Sequence, residues 1–323
     1  MPAILLSAPY MLPFIERYLP VMNHFGLEVI TPTVNERLEE TDLLTYAGQF
    51  DGVICGDDRF TDRVLQACTP RLKVISKWGT GTDSIDHAAC ARLGIQIKNT
   101  PNAFTLPVAD SVLGYILAFA RKQPWMDRAI KSGEWKKIPG RSLAESTLGV
   151  IGVGNIGKAV LRRASAFGMT LLGNDIVPIA SDFLSEFRVE SVPLSELAQR
   201  SDFISVNADL NPTSRHLINT AFLAQVKPGA VLINTARGPI VDEKDLVNAL
   251  QEKRIAGAAL DVFEDEPIPL GSPLLKMDNV MLAPHNSNSS PAAWENVHLN
   301  SIRNLLIGLN IDPAGLDDWK NRS

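Results

Sequence analysis

Between Thr147 and Asp175 the chain runs through an apolar stretch (Leu148-Gly149-Val150-Ile151), then Gly152-Val153-Gly154-Asn155-Ile156-Gly157, an amphipathic segment, a second apolar stretch and an acid. That order predicts a strand, a tight turn, a helix and a parallel strand. Gly152 permits the strand-to-helix turn, Gly154 lets the backbone approach a pyrophosphate, and Gly157 allows the helix to lie close on the strand. The helix N-terminus, at Asn155 and Ile156, presents N–H groups and a partial positive charge to that anion. Asp175, at the end of the second strand, is placed to accept hydrogen bonds from an adenosine ribose and to repel a 2′-phosphate. Ile176, Val177 and Pro178 follow it, with no basic residue to receive such a phosphate. The expected dinucleotide is NAD.

The chain has 323 residues, enough for two domains with separate cores, and the glycine fingerprint begins near its middle. Before it, strands are predicted at Ala3 to Ser7, Leu27 to Thr31, Gly52 to Cys55, Lys73 to Ser76 and Gln96 to Lys98. Helices are predicted between them, near 11–24, 36–47, 61–68 and 86–92. A helix over about 107–121, apolar after Ser111 and stopped by Pro124, suits a buried position between domains. From Leu148 a second alternation has six strands, the others being Thr170 to Leu172, Phe203 to Asn207, Val231 to Asn234, Ala258 to Val262 and Val280 to Ala283. Its helices are predicted at about 155–167, 194–200, 219–225 and 242–251. Pro291 opens a last helix that needs an earlier domain to pack on. The expected fold class is therefore α/β, with two doubly wound parallel-sheet domains. A Rossmann nucleotide domain, residues 100–286, is inserted into a flavodoxin-like substrate domain made of 1–99 and 287–323.

A net charge of −5 offers no field for nucleic acid or anionic lipid, so neither is expected as a partner. Cys55, Cys68 and Cys90 form no paired motif and read as buried thiols of a reducing compartment. The N-terminal Met-Pro-Ala-Ile-Leu-Leu-Ser has no basic region, and the apolar run Val112 to Ala120 is far shorter than the roughly 20 residues that span a bilayer. These features predict a soluble, cytoplasmic protein. His24, His87, His216 and His298 lack partners at ligand spacing and read as surface or capping residues, so no metal site is expected.

Three polar side chains stand where strands of the second domain end: Arg237 after Val231 to Asn234, Glu266 after Ala258 to Val262, and His285 after Val280 to Ala283. The carboxyl ends of strands in an open α/β sheet line the ligand crevice, so these groups converge where a dinucleotide would lie. Histidine exchanges protons near neutral pH, a carboxylate beside it orients the ring, and a guanidinium grips a carboxylate and a carbonyl together. Hydride transfer at a hydroxyl carbon needs those roles.

The segments Trp78 to Asp86, Thr147 to Gly157, Asn234 to Glu243, Asp261 to Pro267 and Pro284-His285 closely resemble the D-isomer-specific 2-hydroxyacid dehydrogenases, in that family's order and spacing. The resemblance implies that His285 is the general acid/base, Glu266 its partner and Arg237 the group that binds and polarises the substrate. It implies that amides around Thr80 and Gly81, in the segment Lys77-Trp78-Gly79-Thr80-Gly81, receive the substrate carboxylate. A turn of successive N–H groups is also a physical anion nest. Asp261 and Thr235 would lie beside the nicotinamide, with Ala236 and Asn207 also in the cofactor site. A homodimer joined through the nucleotide domains is implied as well; Trp135 reads equally as part of a loop that crosses to the partner subunit in related enzymes and as a packing residue. An NAD-sensing co-repressor-like scaffold with little turnover is the alternative on the same fold. Formate dehydrogenase is a further one, against which the acid Glu266 argues.

Two segments depart from the family. Asn286 to Ser290 replaces small, glycine-containing sequence after the histidine, and Asn207 to Asn211 replaces a His- or Cys-Pro-Leu-Thr type of segment. Asp57, Asp58 and Arg59 follow the third strand, where they would face the crevice near Lys77 and Trp78. Two carboxylates there would oppose a phosphorylated acid unless Arg59 and Lys77 outweigh them, which mildly disfavours 3-phosphoglycerate; the Asp pair reads equally as an exposed helix cap.

Overall fold

The computed structural model describes residues 1–316. The chain divides into two compact units, Met1–Ala103 with the segment from Ser290 onward, and Phe104–Ser289. The sequence placed these divisions at 99/100 and 286/287.

The first unit is built on five strands, β1 (Ala3–Leu6), β2 (Glu28–Ile30), β3 (Gly52–Cys55), β4 (Val74–Lys77) and β5 (Gln96–Lys98). They pair in parallel in the order β2-β1-β3-β4-β5, the flavodoxin-like arrangement with its switch between β1 and β3. Ile4, Leu5, Val53, Ile54, Val74 and Ile75 are fully buried, as parallel strands covered on both faces must be. The intervening helices are α1 (Ile15–His24), α2 (Glu40–Thr45), α3 (Asp62–Cys68) and α4 (His87–Leu93). Thr61 and Asp86 cap α3 and α4 by accepting hydrogen bonds from Val64 N and Ala89 N. Cys55, Cys68 and Cys90 are buried free thiols.

The second unit opens with α5 (Thr105–Arg121) and α6 (Gln123–Lys131). Its strands are β6 (Thr147–Ile151), β7 (Thr170–Asn174), β8 (Val189–Ser191), β9 (Phe203–Val206), β10 (Val231–Asn234), β11 (Gly257–Leu260) and β12 (Val280–Leu282). Helices α7 (Asn155–Ala166), α8 (Ser181–Phe187), α9 (Leu194–Arg200), α10 (Thr220–Leu223) and α11 (Glu243–Gln251) connect them. The all-parallel order β12-β11-β10-β9-β6-β7-β8 is the Rossmann order, with its switch between β6 and β9. One apolar cluster joins Ile204, Leu232 and Leu260 to Leu246 and Leu250. A second joins Leu148, Val150 and Ile233 to Val160, Val112, Ile116 and Phe119, so the apolar stripe of α5 fills the core of this unit.

The sheet has seven strands rather than the six expected. Val189–Ser191 buries only its valine, leaving Glu190 and Ser191 exposed, and so carries no apolar run to betray it. Two helices were also unforeseen, α6 and α8. Lys122 adopts a left-handed conformation that ends α5, and Pro124 then starts α6, where a missing N–H costs nothing, instead of stopping the chain.

The last helix, α12 (Pro291–Gly308), returns to the first unit with Val297, Ile302, Leu305 and Leu306 fully buried. It lies directly on the sheet: a Cβ at Gly308 would fall 2.5 Å from Val74 Cβ, and one at Gly52 would fall 2.7 Å from Leu305 Cδ1. Gly308→Ala should therefore overpack this face and destabilise the protein by about 1–3 kcal/mol. Urea denaturation checks this, and an unchanged midpoint would show that α12 can lift off the sheet without cost.

Candidate active site

In the second unit the carboxyl ends of β10, β11 and β12 stand side by side and carry the three predicted residues. His285 Nδ1 lies 2.9 Å from Glu266 Oε2, and Glu266 Oε1 accepts a hydrogen bond from Phe263 N at 2.9 Å. Glu266 is thus held at both oxygens. A carboxylate can only accept, so Nδ1 carries the hydrogen of this contact, and Nε2 is the ring nitrogen suited to exchanging a proton with a ligand. Both side chains are largely buried, at 19% and 18% exposure, where a charge-assisted pair is screened little.

His285 sits at φ +50, in the left-handed region uncommon for a residue with a side chain. Such a conformation persists only where the surroundings over-determine it. Here Asp261, almost fully buried, supplies the restraint: His285 N donates to its carbonyl at 2.8 Å, and its carboxylate accepts Asn286 N at 2.8 Å and Ser287 N at 2.9 Å. Tyr115 is half-buried near this carboxylate. Desolvation foremost, and then the Asp261 charge, push its hydroxyl up to about 12, so it stays a neutral phenol. Asp261 therefore anchors the segment after the histidine, and the unusual Asn286 to Ser290 sequence is partly explained by the buried Ser287.

Arg237 follows β10 in a turn built by Asn234, whose Oδ1 accepts from Ala236 N and whose Nδ2 donates to Arg237 O. The Arg237 guanidinium donates to Ala236 O at 2.9 Å. Ala236 thus has both main-chain polar groups engaged within the turn. Sequence reasoning missed Asn234 as a positioning residue, although an asparagine at a strand end that begins a turn is the signature of a side chain bonding to its own backbone. Gly238 lets this turn approach the Glu266 segment, because a Cβ there would fall 1.8 Å from Phe263 O.

The glycine turn has the geometry a dinucleotide needs. Gly152 sits at φ +85 with its missing Cβ 2.6 Å from Ala208 N, and a Cβ at Gly157 would fall 2.1 Å from Gly152 O. At Gly154, by contrast, a Cβ would meet open space, and α7 begins there without a side-chain cap. Asp175 accepts Val153 N at 2.7 Å and Val177 N at 2.9 Å, fixing the glycine turn while standing at the end of β7. Thr235 Oγ1 and Asn207 Oδ1, at the ends of β10 and β9, are buried with no hydrogen-bond partner among the described residues. Orphaned polar atoms at the carboxyl edge, an open Gly154 and an uncapped helix terminus fit NAD.

In the first unit, Lys77 is buried, with Nζ 3.1 Å from Asp57 Oδ1 and 3.1 Å from Trp78 O. Asp58 is neither crevice-facing nor an exposed cap: it is fully buried, accepts Leu38 N at 2.8 Å and is hydrogen-bonded by the Ser7 hydroxyl. Burial raises its carboxyl to about 6 against the opposing effect of those donors. Trp78 is buried too. Its indole N–H donates to His298 Nδ1 at 2.9 Å, and its ring stacks on Tyr10 at 5.0 Å. His298, expected at the surface, is a core residue, and desolvation lowers its imidazole to about 4. His216 lies 2.7 Å from Glu264 and 3.6 Å from Asp242. The described residues hold no group of acids, cysteines and histidines suited to a metal, and no helix among them is long and apolar enough to cross a membrane.

These features define an NAD-binding α/β oxidoreductase. The family described as "D-isomer specific 2-hydroxyacid dehydrogenase, NAD binding domain" matches residues 113–287, more than half of the chain. A glyoxylate reductase of Korarchaeum cryptofilum is 42% identical over 235 residues, 71% of this chain and 70% of that relative. A D-3-phosphoglycerate dehydrogenase of Methanocaldococcus jannaschii is 40% identical over 261 residues, 80% of this chain but 48% of its own, so this chain spans about half of that relative. The crystal structure of D-lactate dehydrogenase from Aquifex aeolicus, complexed with NAD and lactic acid, superposes with a TM-score of 0.83 at 28% identity over 93% of each chain. The chain belongs to the D-isomer specific 2-hydroxyacid dehydrogenases.

Two outcomes test this geometry. Gly238→Ala should displace the Arg237 turn from the Glu266 segment and lower kcat/KM by about 100-fold, measured by steady-state kinetics; near-normal turnover would mean that the two segments need no such approach. His298 binds a proton more weakly when folded than its ordinary value of 6.5. The unfolded chain therefore takes up protons first, and stability falls as pH drops from about 6.5 to about 4, by up to about 3 kcal/mol. Urea titrations at several pH values should show this excess slope in the native protein and not in His298→Gln.

Proposed function

We propose that the protein reversibly reduces a small 2-keto acid to the D-2-hydroxy acid, with His285 as general acid/base. Bound NAD supplies or accepts the hydride. His285 Nε2 gives a proton to the carbonyl oxygen in reduction and takes it back in oxidation, while Glu266 stabilises the imidazolium at Nδ1. Arg237 polarises the substrate carbonyl, and the Thr80 and Gly81 amides receive the carboxylate. Charge placed in advance around the reacting oxygen supplies much of the barrier reduction. The observation that carries this reading is the 2.9 Å His285–Glu266 contact, with the carboxylate pinned from behind by Phe263 N. The cofactor contacts proposed are Gly152, Gly154, Asn155, Ile156, Gly157, Asp175, Asn207, Thr235, Ala236 and Asp261.

An unphosphorylated substrate fits the charges of the first unit. The Lys77 ammonium is matched by Asp57, leaving no excess positive charge on that pair for a phosphate. A keto acid of the glyoxylate or hydroxypyruvate kind suits the site best, and the named glyoxylate reductase agrees with this choice. Trp135, 89% exposed, is consistent with a homodimer in which that loop meets a partner subunit.

Turnover with NADH and NADPH across glyoxylate, hydroxypyruvate, pyruvate, branched and phosphorylated keto acids tests the assignment. His285→Ala should lose about 10²- to 10⁴-fold in kcat. Tight NADH binding without turnover on any of these acids would favour the scaffold alternative, and near-normal activity of His285→Ala would overturn the role given to the histidine.

A further inference from the structure

The segment Gly79-Thr80-Gly81 is tied by hydrogen bonds to the two residues that follow β5. Gly79 O accepts a hydrogen bond from Thr100 N at 2.8 Å, and Thr80 O accepts one from Asn99 Nδ2 at 2.6 Å. In a trans peptide the carbonyl and the following N–H point in opposite directions. Both carbonyls face the Asn99–Thr100 segment after β5, so the N–H groups of Thr80 and Gly81 are both turned away from it. Two successive amides directed to one side make the anion nest expected of this turn. The Thr80 hydroxyl, donating to Thr100 O at 3.0 Å, adds a third tie on the same side.

That backing is itself held by the last helix. Asn304 Nδ2 donates to Asn99 O at 2.9 Å, and Asn300 Nδ2 to Thr100 Oγ1 at 3.2 Å. His298 Nδ1 accepts the indole N–H of Trp78, the residue just before the turn. Three polar side chains within two turns of α12 thus reach the residue before the turn or the two residues behind it. Helix packing alone needs none of them, because the apolar residues Ile302, Leu305 and Leu306 already seat α12 on the sheet. The polar ones need another reason.

We infer that His298, Asn300 and Asn304 are positioning residues for substrate carboxylate recognition, setting the direction of the Thr80 and Gly81 amides through Trp78, Thr100 and Asn99. This rests on the reading of Gly79 to Gly81 as the carboxylate receptor. The effect is specific to the anion: a misaligned amide pair weakens the grip on a carboxylate and leaves proton transfer at His285 and NADH binding alone.

The test compares a 2-keto acid with its uncharged 2-keto amide in the native enzyme, Asn304→Ala, Asn300→Ala and His298→Gln, each confirmed folded by its thermal transition. Asn300 and Asn304 are the half-buried members of the set, so their variants remain informative if His298→Gln fails to fold. KM for the acid should rise about tenfold, the equivalent of one lost hydrogen bond of roughly 1.4 kcal/mol. KM for the amide, KM for NADH and kcat should stay within about twofold, a change of only ~0.4 kcal/mol. Equal rises for acid and amide, or no rise in any folded variant, would overturn the inference. A native enzyme that does not distinguish acid from amide would instead overturn the reading of the turn as the carboxylate receptor.

Discussion

The buried carboxylate of Asp261 is the constraint on which the second unit's reactive geometry hangs. An ionised carboxyl removed from water needs donors, and here the donors are the main-chain amides of Asn286 and Ser287. Satisfying the charge therefore folds the chain after β12 back onto the end of β11. His285 is carried into a left-handed conformation by this closure, and its ring meets the Glu266 carboxylate that the same β11 loop provides. One electrostatic requirement thus sets the position of the histidine, its orienting partner and the neutral phenol of Tyr115 beside them.

Parallel strands make such convergence economical. Register aligns Asn234 with Leu260, and Leu260 with Leu282, so the segments that leave β10, β11 and β12 depart from one edge at one height. Arg237, Glu266 and His285 each follow those ends within a few residues, and His285 there meets Glu266. Gly238 removes the last steric obstacle between the first two segments. The first unit uses the same logic with uncharged groups: the Thr100 main-chain N–H and the Asn99 side-chain amide donate to the carbonyls of Gly79 and Thr80.

Much of this was visible in the residues. Both sheets, the inserted order of the units and the glycine fingerprint follow from apolar runs of strand length, from three glycines with separate steric duties and from a helix that needed something to pack on. Arg237, Glu266 and His285 could be picked out because strand ends in an α/β sheet are a known location. The short edge strand Val189–Ser191 escaped because a strand with one buried face position has no periodic signal. Asp58 and His298 were misplaced for a related reason: a charged or polar letter reads as surface unless its partners are known, and theirs lie at Ser7, Leu38 and Trp78, between 20 and 220 residues away.

The sequence by itself determined the class of fold and the dinucleotide, and it supplied the residues proposed for the reaction, because these depend on local periodicity, on glycine sterics and on residue identity. Tertiary structure alone decided which polar groups pair and which face outward. Asp261, expected beside the nicotinamide, clamps the histidine segment, and Asp175, expected to face a ribose, fixes the glycine turn. Hydrogen bonds between residues distant in the chain leave no periodic trace, and the cost of burying an unpaired polar group, which selects among them, exists only once the surrounding atoms are in place.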